Sequence, residues 1–339
     1  MMMTRFARID VINTIYEGGF MPSFAANDLN AARSIVKACA DGGARAILWR
    51  IQNAADAELL GALVAELTAE DPTIILGAGA IADAQTTDAF LNAGAGFIIG
   101  ASADSAIARQ CHRRKVNYIP VCRSLIDIEV AEEMGAETVR IHAFEPALKP
   151  ASLKELLQER PWTRIMKSGD IQPGAEPVAD WIQAGAACIG VDVQAMAEMG
   201  SFENLPGKVS DIIWYIKKAR GENLFCGVEH LGIYPEAGQA ASELTDWYND
   251  MFGFDIDEGE SWYFAHSTGP GRIEILKDHE PTKAHVAIKV RHFDLACRRL
   301  ADKGVEFEPV KDFGRVKAVF LKQRDPAGHK VHLLYQALQ

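Results

Sequence analysis

Side chains able to bind or transform a small acid cluster at the ends of apolar runs in the first two thirds of the chain. Arg50 and Gln52 lie two residues apart in Ala44–Gln52, and Arg140 and His142 two apart in Thr138–His142. Side chains of an extended segment alternate between faces, so each pair shares one face. Lys167 lies at the end of a further run, Thr163–Ser168; Asp170 follows it, and Asp192 follows Ala187–Val191. A pocket made of Arg50, Arg140, His142, Lys167, Asp170 and Asp192 would hold a carboxylate-bearing, hydroxylated ligand. Guanidinium suits a carboxylate, imidazole suits proton transfer, and a lysine amine becomes a nucleophile where burial depresses its pKa. The plainer expectations are an ion-paired or solvated Lys167 and a structural His142. Seven of the nine histidines fall after Gly227, so a second chemistry is concentrated there.

These residues need a scaffold, and 339 residues are enough for two domains. The net charge of −11 offers no basic field to nucleic acid, and no apolar run reaches the roughly 18 residues that span a bilayer. The opening MMMTRFARID has no apolar stretch of signal-peptide length, so the cytoplasm is expected. Six cysteines without CxxC spacing read as reduced core thiols.

From about residue 18 to 220, β-rich runs alternate with amphipathic alanine-rich stretches, the pattern of repeated βα units. Eight strands are expected, near Phe20–Phe24, Ala44–Gln52, Thr73–Gly77, Gly96–Gly100, Asn117–Val121, Thr138–His142, Thr163–Ser168 and Ala187–Val191. A glycine recurs before four of them (Gly43, Gly94, Gly135, Gly185), where a left-handed cap would end one helix and start the next strand. An open doubly wound sheet would carry GxGxxG after its first strand; this chain has Phe24-Ala-Ala-Asn-Asp28, which favours a closed (β/α)8 TIM barrel. After a helix at Lys208–Arg220, Gly221–Gly227 reads as a linker. The remainder reads as βαβββ written twice, an α+β domain. The expected domains are 1–220 and 221–339.

The segments Gly18-Gly-Phe-Met-Pro-Ser-Phe24, Cys39-Ala-Asp-Gly-Gly-Ala-Arg45, Leu76-Gly-Ala-Gly79, Cys111-His-Arg-Arg-Lys115, Ala131-Glu-Glu-Met-Gly135 and Pro161-Trp-Thr-Arg-Ile-Met166 resemble the 2-keto-3-deoxy-6-phosphogluconate and 4-hydroxy-2-oxoglutarate aldolases. The resemblance spans residues 5–220 and implies a barrel in which a strand-six lysine forms a Schiff base and a strand-two glutamate moves protons. Here Arg140 and Leu48 stand at those positions, Gln52 replaces the carboxylate-binding arginine, and Asp170 and Asp192 enter the two phosphate loops. A guanidinium cannot attack a ketone as a free amine does, and two carboxylates repel a phosphate.

Farther on, His230-Leu-Gly-Ile-Tyr234, His285-Val-Ala-Ile-Lys289 and Asp325-Pro-Ala-Gly-His-Lys-Val-His332 resemble the vicinal-oxygen-chelate superfamily of glyoxalases and extradiol dioxygenases. Carried over position by position, the resemblance implies a divalent zinc, iron, nickel or manganese ion held by His230, Glu274, His285 and His332, the last where most members have glutamate. It implies Lewis-acid stabilisation of an enediolate. His266, His279, His292 and His329 match no ligand position and are expected at the surface.

The two resemblances together imply a metal-dependent lyase or isomerase acting on a small keto or sugar acid, in a homo-oligomer built on trimers or dimers. Two alternatives remain: a carbon–carbon lyase in the barrel, using Lys167 or a metal held by Asp170 and Asp192, and a sugar-acid-binding protein without catalysis.

Overall fold

The computed structural model describes residues 5–53, 55–142, 147–169, 171–198, 204–278, 284–314 and 316–336. The chain divides into two compact units, one running to Glu222 and the other beginning at Asn223. Among the described residues no helix is long and apolar enough to cross a membrane.

In the first unit, strands β1 (Phe20–Phe24), β2 (Ala46–Arg50), β3 (Ile75–Ile81), β4 (Phe97–Gly100), β5 (Asn117–Cys122), β6 (Val139–Ile141), β7 (Ile165–Ser168) and β8 (Cys188–Asp192) form a closed parallel barrel in chain order. Helices α1 (Arg8–Gly18), α2 (Leu29–Asp41), α3 (Asp56–Glu70), α4 (Ala84–Asn92), α5 (Ser105–Arg113), α6 (Leu125–Glu133), α7 (Pro150–Glu159), α8 (Ala175–Gln183), α9 (Val193–Glu198) and α10 (Leu205–Ala219) precede, connect and follow them. Asp28, Asp83 and Asp104 cap α2, α4 and α5 by accepting backbone N–H bonds, and Ser124 with Asp127 forms a capping box on α6. Gly43, Gly94, Gly135 and Gly185 all have positive φ, between 82° and 106°, so the expected left-handed turn precedes each even-numbered strand.

Each strand buries both faces, and its side chains divide by parity into two apolar layers. Met21, Leu48, Ile75, Phe97, Ile119 and Met166 belong to the cluster that fills the barrel. Ile47, Trp49, Ile98, Ile165 and Ile189 belong to the one between sheet and helices. Gly77 makes the inner layer possible, because a Cβ there would lie 2.1 Å from the Phe97 ring. Helix α1, to which the sequence analysis assigns no element, places Val11 and Ile15 in the inner cluster and so extends the barrel core. Cys39, Cys111, Cys122 and Cys188 are core thiols, and burial pushes each up to about 12.

The second unit is one eight-stranded sheet ordered β10-β11-β12-β9-β13-β16-β15-β14. Its elements are β9 (Phe225–Ile233), α11 (Ala241–Phe252), β10 (Asp255–Glu258), β11 (Trp262–His266), β12 (Arg272–Leu276), β13 (His285–Val290), α12 (Phe293–Ala301), β14 (Lys311–Asp312), β15 (Val316–Phe320) and β16 (Lys330–Gln336). Each half pairs its first strand with its last in parallel, β9 with β12 and β13 with β16, and the halves join where β9 and β13 run antiparallel. This is βαβββ twice, in the expected order.

Candidate metal centre and barrel mouth

Strand registry determines which side chains meet on the sheet of the second unit. One row across it reads Glu274, Gly232, His285, Lys330, and the next Arg272, His230, Ala287, His332. The rows are two residues apart, so all eight positions share one face. The four residues expected to bind metal therefore alternate with Gly232 and Ala287, whose small size leaves the space between them. That space is needed: a Cβ on Gly232 would lie 2.2 Å from the His285 ring.

The donor atoms converge. His230 Nε2 lies 3.1 Å from His285 Nε2 and 3.3 Å from His332 Nε2, while Glu274 Oε2 lies 2.9 Å from His285 Nε2 and 3.6 Å from His230 Nε2. Two nitrogens each about 2.05 Å from one ion at tetrahedral angles are about 3.3 Å apart, so these separations fit the edges of a coordination shell. All four residues are largely buried. Burial, with repulsion from His230 and His285, lowers His332 to about 3, which keeps its imidazole neutral and its lone pair available near neutrality. Among the described residues His332 Nδ1 is a buried polar atom without a partner, while Phe320 stacks on that ring at 4.5 Å.

One residue of this centre escaped the sequence analysis. Glu229 is the extra residue where β9 slips against β13: Ala287 faces His230, but Ile288 faces Val228. The bulge breaks the alternation, buries Glu229 beside His230 and brings its carboxylate onto His230 Nδ1. A carboxylate there accepts the hydrogen bond of Nδ1–H and leaves the Nε2 lone pair facing the other donors. Burial works against the Glu229 charge, but His230 and Arg272, whose Nη2 lies 2.5 Å away, together pull its pKa below the ordinary range. In the sequence, two adjacent polar residues, Glu229 and His230, on an expected strand are the only trace of this.

A cavity of about 510 Å³ opens over the quartet, walled by Trp262, Phe264, Phe313 and Phe320 and edged by Lys311 and Lys330. Of the other histidines, His266 pairs with Asp257 and His329 with Asp325. His292, expected at the surface, is buried; its ring caps α12 by accepting the Leu295 N–H. His279 lies outside the described residues.

At the barrel mouth Arg50, Arg140 and Asp192 all point inward, as parity requires. Arg50 Nε lies 2.6 Å from Asp192 Oδ2. Arg140 is 8% exposed and donates from Nε to Ser168 Oγ at 2.7 Å; His142 Nδ1 lies 3.4 Å from that hydroxyl. Burial and then Arg50 lower the Arg140 guanidinium to about 10, so it is still a cation at neutral pH. Leu48 sits in the apolar interior below.

Lys167 is a correction. Met166 and Ser168 occupy the inward positions of β7, so Lys167 points outward, 2% exposed, with Nζ 4.9 Å from the Trp181 ring centroid on α8 and 2.8 Å from Ser168 O. It does not line the mouth. Gln52 lies past the end of β2, exposed, its backbone N–H donating to Asp56. Asp170 lies outside the described residues. A second cleft, of about 440 Å³, is lined by Tyr16, Arg164 and Arg220 near the starts of β7 and β8; both guanidiniums are engaged by backbone carbonyls.

Residues 11–204 match the KDPG and KHG aldolase family, and residues 238–333 the glyoxalase/bleomycin resistance protein/dioxygenase superfamily. No curated protein matches the chain significantly. Among solved structures, a 4-hydroxy-2-oxoglutarate/2-dehydro-3-deoxyphosphogluconate aldolase from TTHB1 is 20% identical over 61% of this chain and 98% of its own, with a TM-score of 0.51. A KDPG aldolase from Legionella pneumophila, with pyruvate captured as a covalent carbinolamine, is 16% identical over 61% and 96%, with a TM-score of 0.50. A cube-shaped cage designed by fusing symmetric oligomeric domains is 20% identical over 60% and 73%, with a TM-score of 0.53. At these identities the likeness is one of fold.

Proposed function

Because the chain belongs to the KDPG and KHG aldolase family through residues 11–204 and carries a glyoxalase/bleomycin resistance protein/dioxygenase domain at 238–333, we propose that it is a metal-dependent lyase or isomerase of a small keto or sugar acid, with its chemistry in the second unit. The observation that carries this reading is the convergence of three buried imidazoles whose donor atoms all lie within 4.8 Å of one another, with the Glu274 carboxylate 2.9 Å from His285 Nε2. A divalent ion bound there would supply Lewis acidity toward two vicinal oxygens of the substrate.

The chain's own residues do the rest. Glu229 fixes the His230 tautomer and ring plane, and Gly232 admits the His285 ring. With one carboxylate among four donors, a divalent site keeps a net positive charge, which favours an anionic substrate. Lys311 and Lys330, both 5.6 Å from the Phe320 ring centroid, stand where a substrate carboxylate would reach them. The aromatic walls exclude water, which strengthens these charge interactions.

In the barrel, Arg140 at the expected Schiff-base position and Lys167 turned toward Trp181 leave no amine at the mouth among the described residues, which supports loss of class I aldolase chemistry. We assign residues 1–220 and 221–339 to separate domains, and a homo-oligomer by analogy with the symmetric oligomeric parts of the designed cage.

The test is elemental analysis of protein purified without chelator or affinity nickel, wild type against His230→Ala plus His285→Ala. Near-stoichiometric metal that the double variant lacks supports the reading and directs substrate screening to vicinal hydroxy-keto acids. Metal-free wild type, unable to take up zinc, iron, nickel or manganese on titration, defeats it.

A further inference from the structure

Two cations face one cleft at the amino-terminal ends of the barrel strands. Thr163 and Arg164 precede β7, Ala186 and Ala187 precede β8, and Tyr16 and Arg220 close the cleft from the carboxyl ends of α1 and α10. Barrels of this kind carry their active sites at the carboxyl ends of the strands, so the cleft stands apart from the mouth. In a chain of net charge −11, no carboxylate lines it among the described residues. Glu132 and Glu137, which line an adjoining groove with Arg164, are already engaged: Glu132 by Arg160, Trp162 and Thr163, and Glu137 by Arg8. Arg164 donates from Nη1 to Pro161 O at 2.8 Å and to Thr163 O at 3.3 Å. Arg220 donates from Nη1 to Glu17 O at 3.2 Å and from Nη2 to Ala187 O at 2.9 Å. These neutral carbonyls fix both guanidinium planes without cancelling either charge. Among the described residues nothing bonds the Nε–Nη2 edge of Arg164, whose parallel N–H donors suit paired anionic oxygens.

We propose that this cleft is a second ligand site, which binds the dianionic phosphoryl group of a small phosphate monoester between Arg164 and Arg220. Two positive charges without a carboxylate match a group that carries about −1.5 to −2 near neutral pH, and its three terminal oxygens let both guanidiniums grip one centre. A single carboxylate would leave one of the two charges unbalanced. The cleft volume, about 440 Å³, lies within the roughly 300–1,000 Å³ of small-ligand sites. Leu157, Pro161, Ala186 and the Tyr16 ring offer apolar surface to the body of the ester. The ligand is bound and not transformed, because the hydroxyls that line the cleft are spent within the protein. Thr163 Oγ1 donates to Glu132, and Tyr16 Oη bonds Glu137 O and Thr138 Oγ1, while burial raises the Tyr16 pKa and keeps the phenol protonated. The site is independent of the metal chemistry of the second unit.

The experiment is calorimetric titration of the full-length protein with phenyl phosphate at neutral pH, in EDTA to silence any metal centre. We expect one saturable site per chain, weakened about tenfold to a hundredfold in Arg164→Gln and in Arg220→Gln, and unchanged in Arg140→Gln, which alters only the opposite end of the barrel. Phenyl sulfate, a monoanion of the same shape, and inorganic phosphate, which lacks the ester body, should both bind more weakly. Arg164 is exposed, so Arg164→Gln keeps the test decisive should the Arg220 variant fail to fold. The proposal is overturned if the wild type does not bind phenyl phosphate, if Arg164→Gln binds it normally, if Arg140→Gln loses it, or if phenyl sulfate, succinate or inorganic phosphate binds as tightly. Failure here leaves the metal assignment intact, because that rests on metal content.

Discussion

Gly232→Ala should empty the metal centre without touching a donor. The added carbon would lie 2.2 Å from His285 Cε1, 2.3 Å from Nδ1 and 2.7 Å from Nε2, and ordinary contact between such atoms is about 3.5 Å. Gly232 is paired on both sides, with Glu274 and with His285, so the backbone is held and the ring must move. It has to retreat by about 1.3 Å, whereas metal–nitrogen bonds hold to within about 0.2 Å. His285 therefore leaves the shell. Losing an outer-shell partner alone costs roughly 10–100-fold in affinity, so losing a donor should cost at least about 100-fold, or about 2.7 kcal/mol. Competition with a chromophoric zinc chelator measures this directly, with circular dichroism to establish that the variant is folded. A folded variant with wild-type zinc affinity would refute both the position of the His285 ring and its role as a ligand.

Glu229→Gln should lower zinc affinity about 10–100-fold while the fold survives, because the amide cannot draw the Nδ1 proton as a carboxylate does; equal affinities would exclude the outer-shell role. In metal-free protein, His332 falls from 6.5 to about 3 on folding. The unfolded chain then binds more protons between those values, so stability present above pH 6.5 is lost as pH falls through the window, by at most roughly 5 kcal/mol. Urea midpoints from pH 7.5 to 4 should fall more steeply for the wild type than for His332→Gln, and parallel slopes would contradict the shift. Pyruvate with borohydride should leave the wild type unmodified; an adduct that vanishes in Lys167→Met would show that this lysine reaches the mouth.

The strand order was legible because glycine caps and apolar runs repeat along the chain, and Gly43, Gly94, Gly135 and Gly185 do adopt the required conformation. What failed was phase. Ile165–Ser168 is buried on both faces, so no polar alternation marks which side of β7 faces inward, and Lys167 was placed at the mouth when it belongs under Trp181. The four expected ligand positions rested on resemblance, and the sheet registry brings His230, Glu274, His285 and His332 onto one face because they occupy matching positions of two repeated units. Glu229 was not, because a one-residue bulge is a property of pairing between two strands and neither strand records it alone. His292 shows the same limit on a smaller scale, its burial following from the helix it caps.

The seam between β9 and β13 gives the centre a kinetic character. His230 and Glu274 come from one half of the sheet, His285 and His332 from the other. An ion held by all four would rivet together strands about a hundred residues apart, so neither half could open while it stayed bound. Its escape would wait on a sub-global opening of the seam, and amide hydrogen exchange in β9 and β13 would slow together when the ion is added.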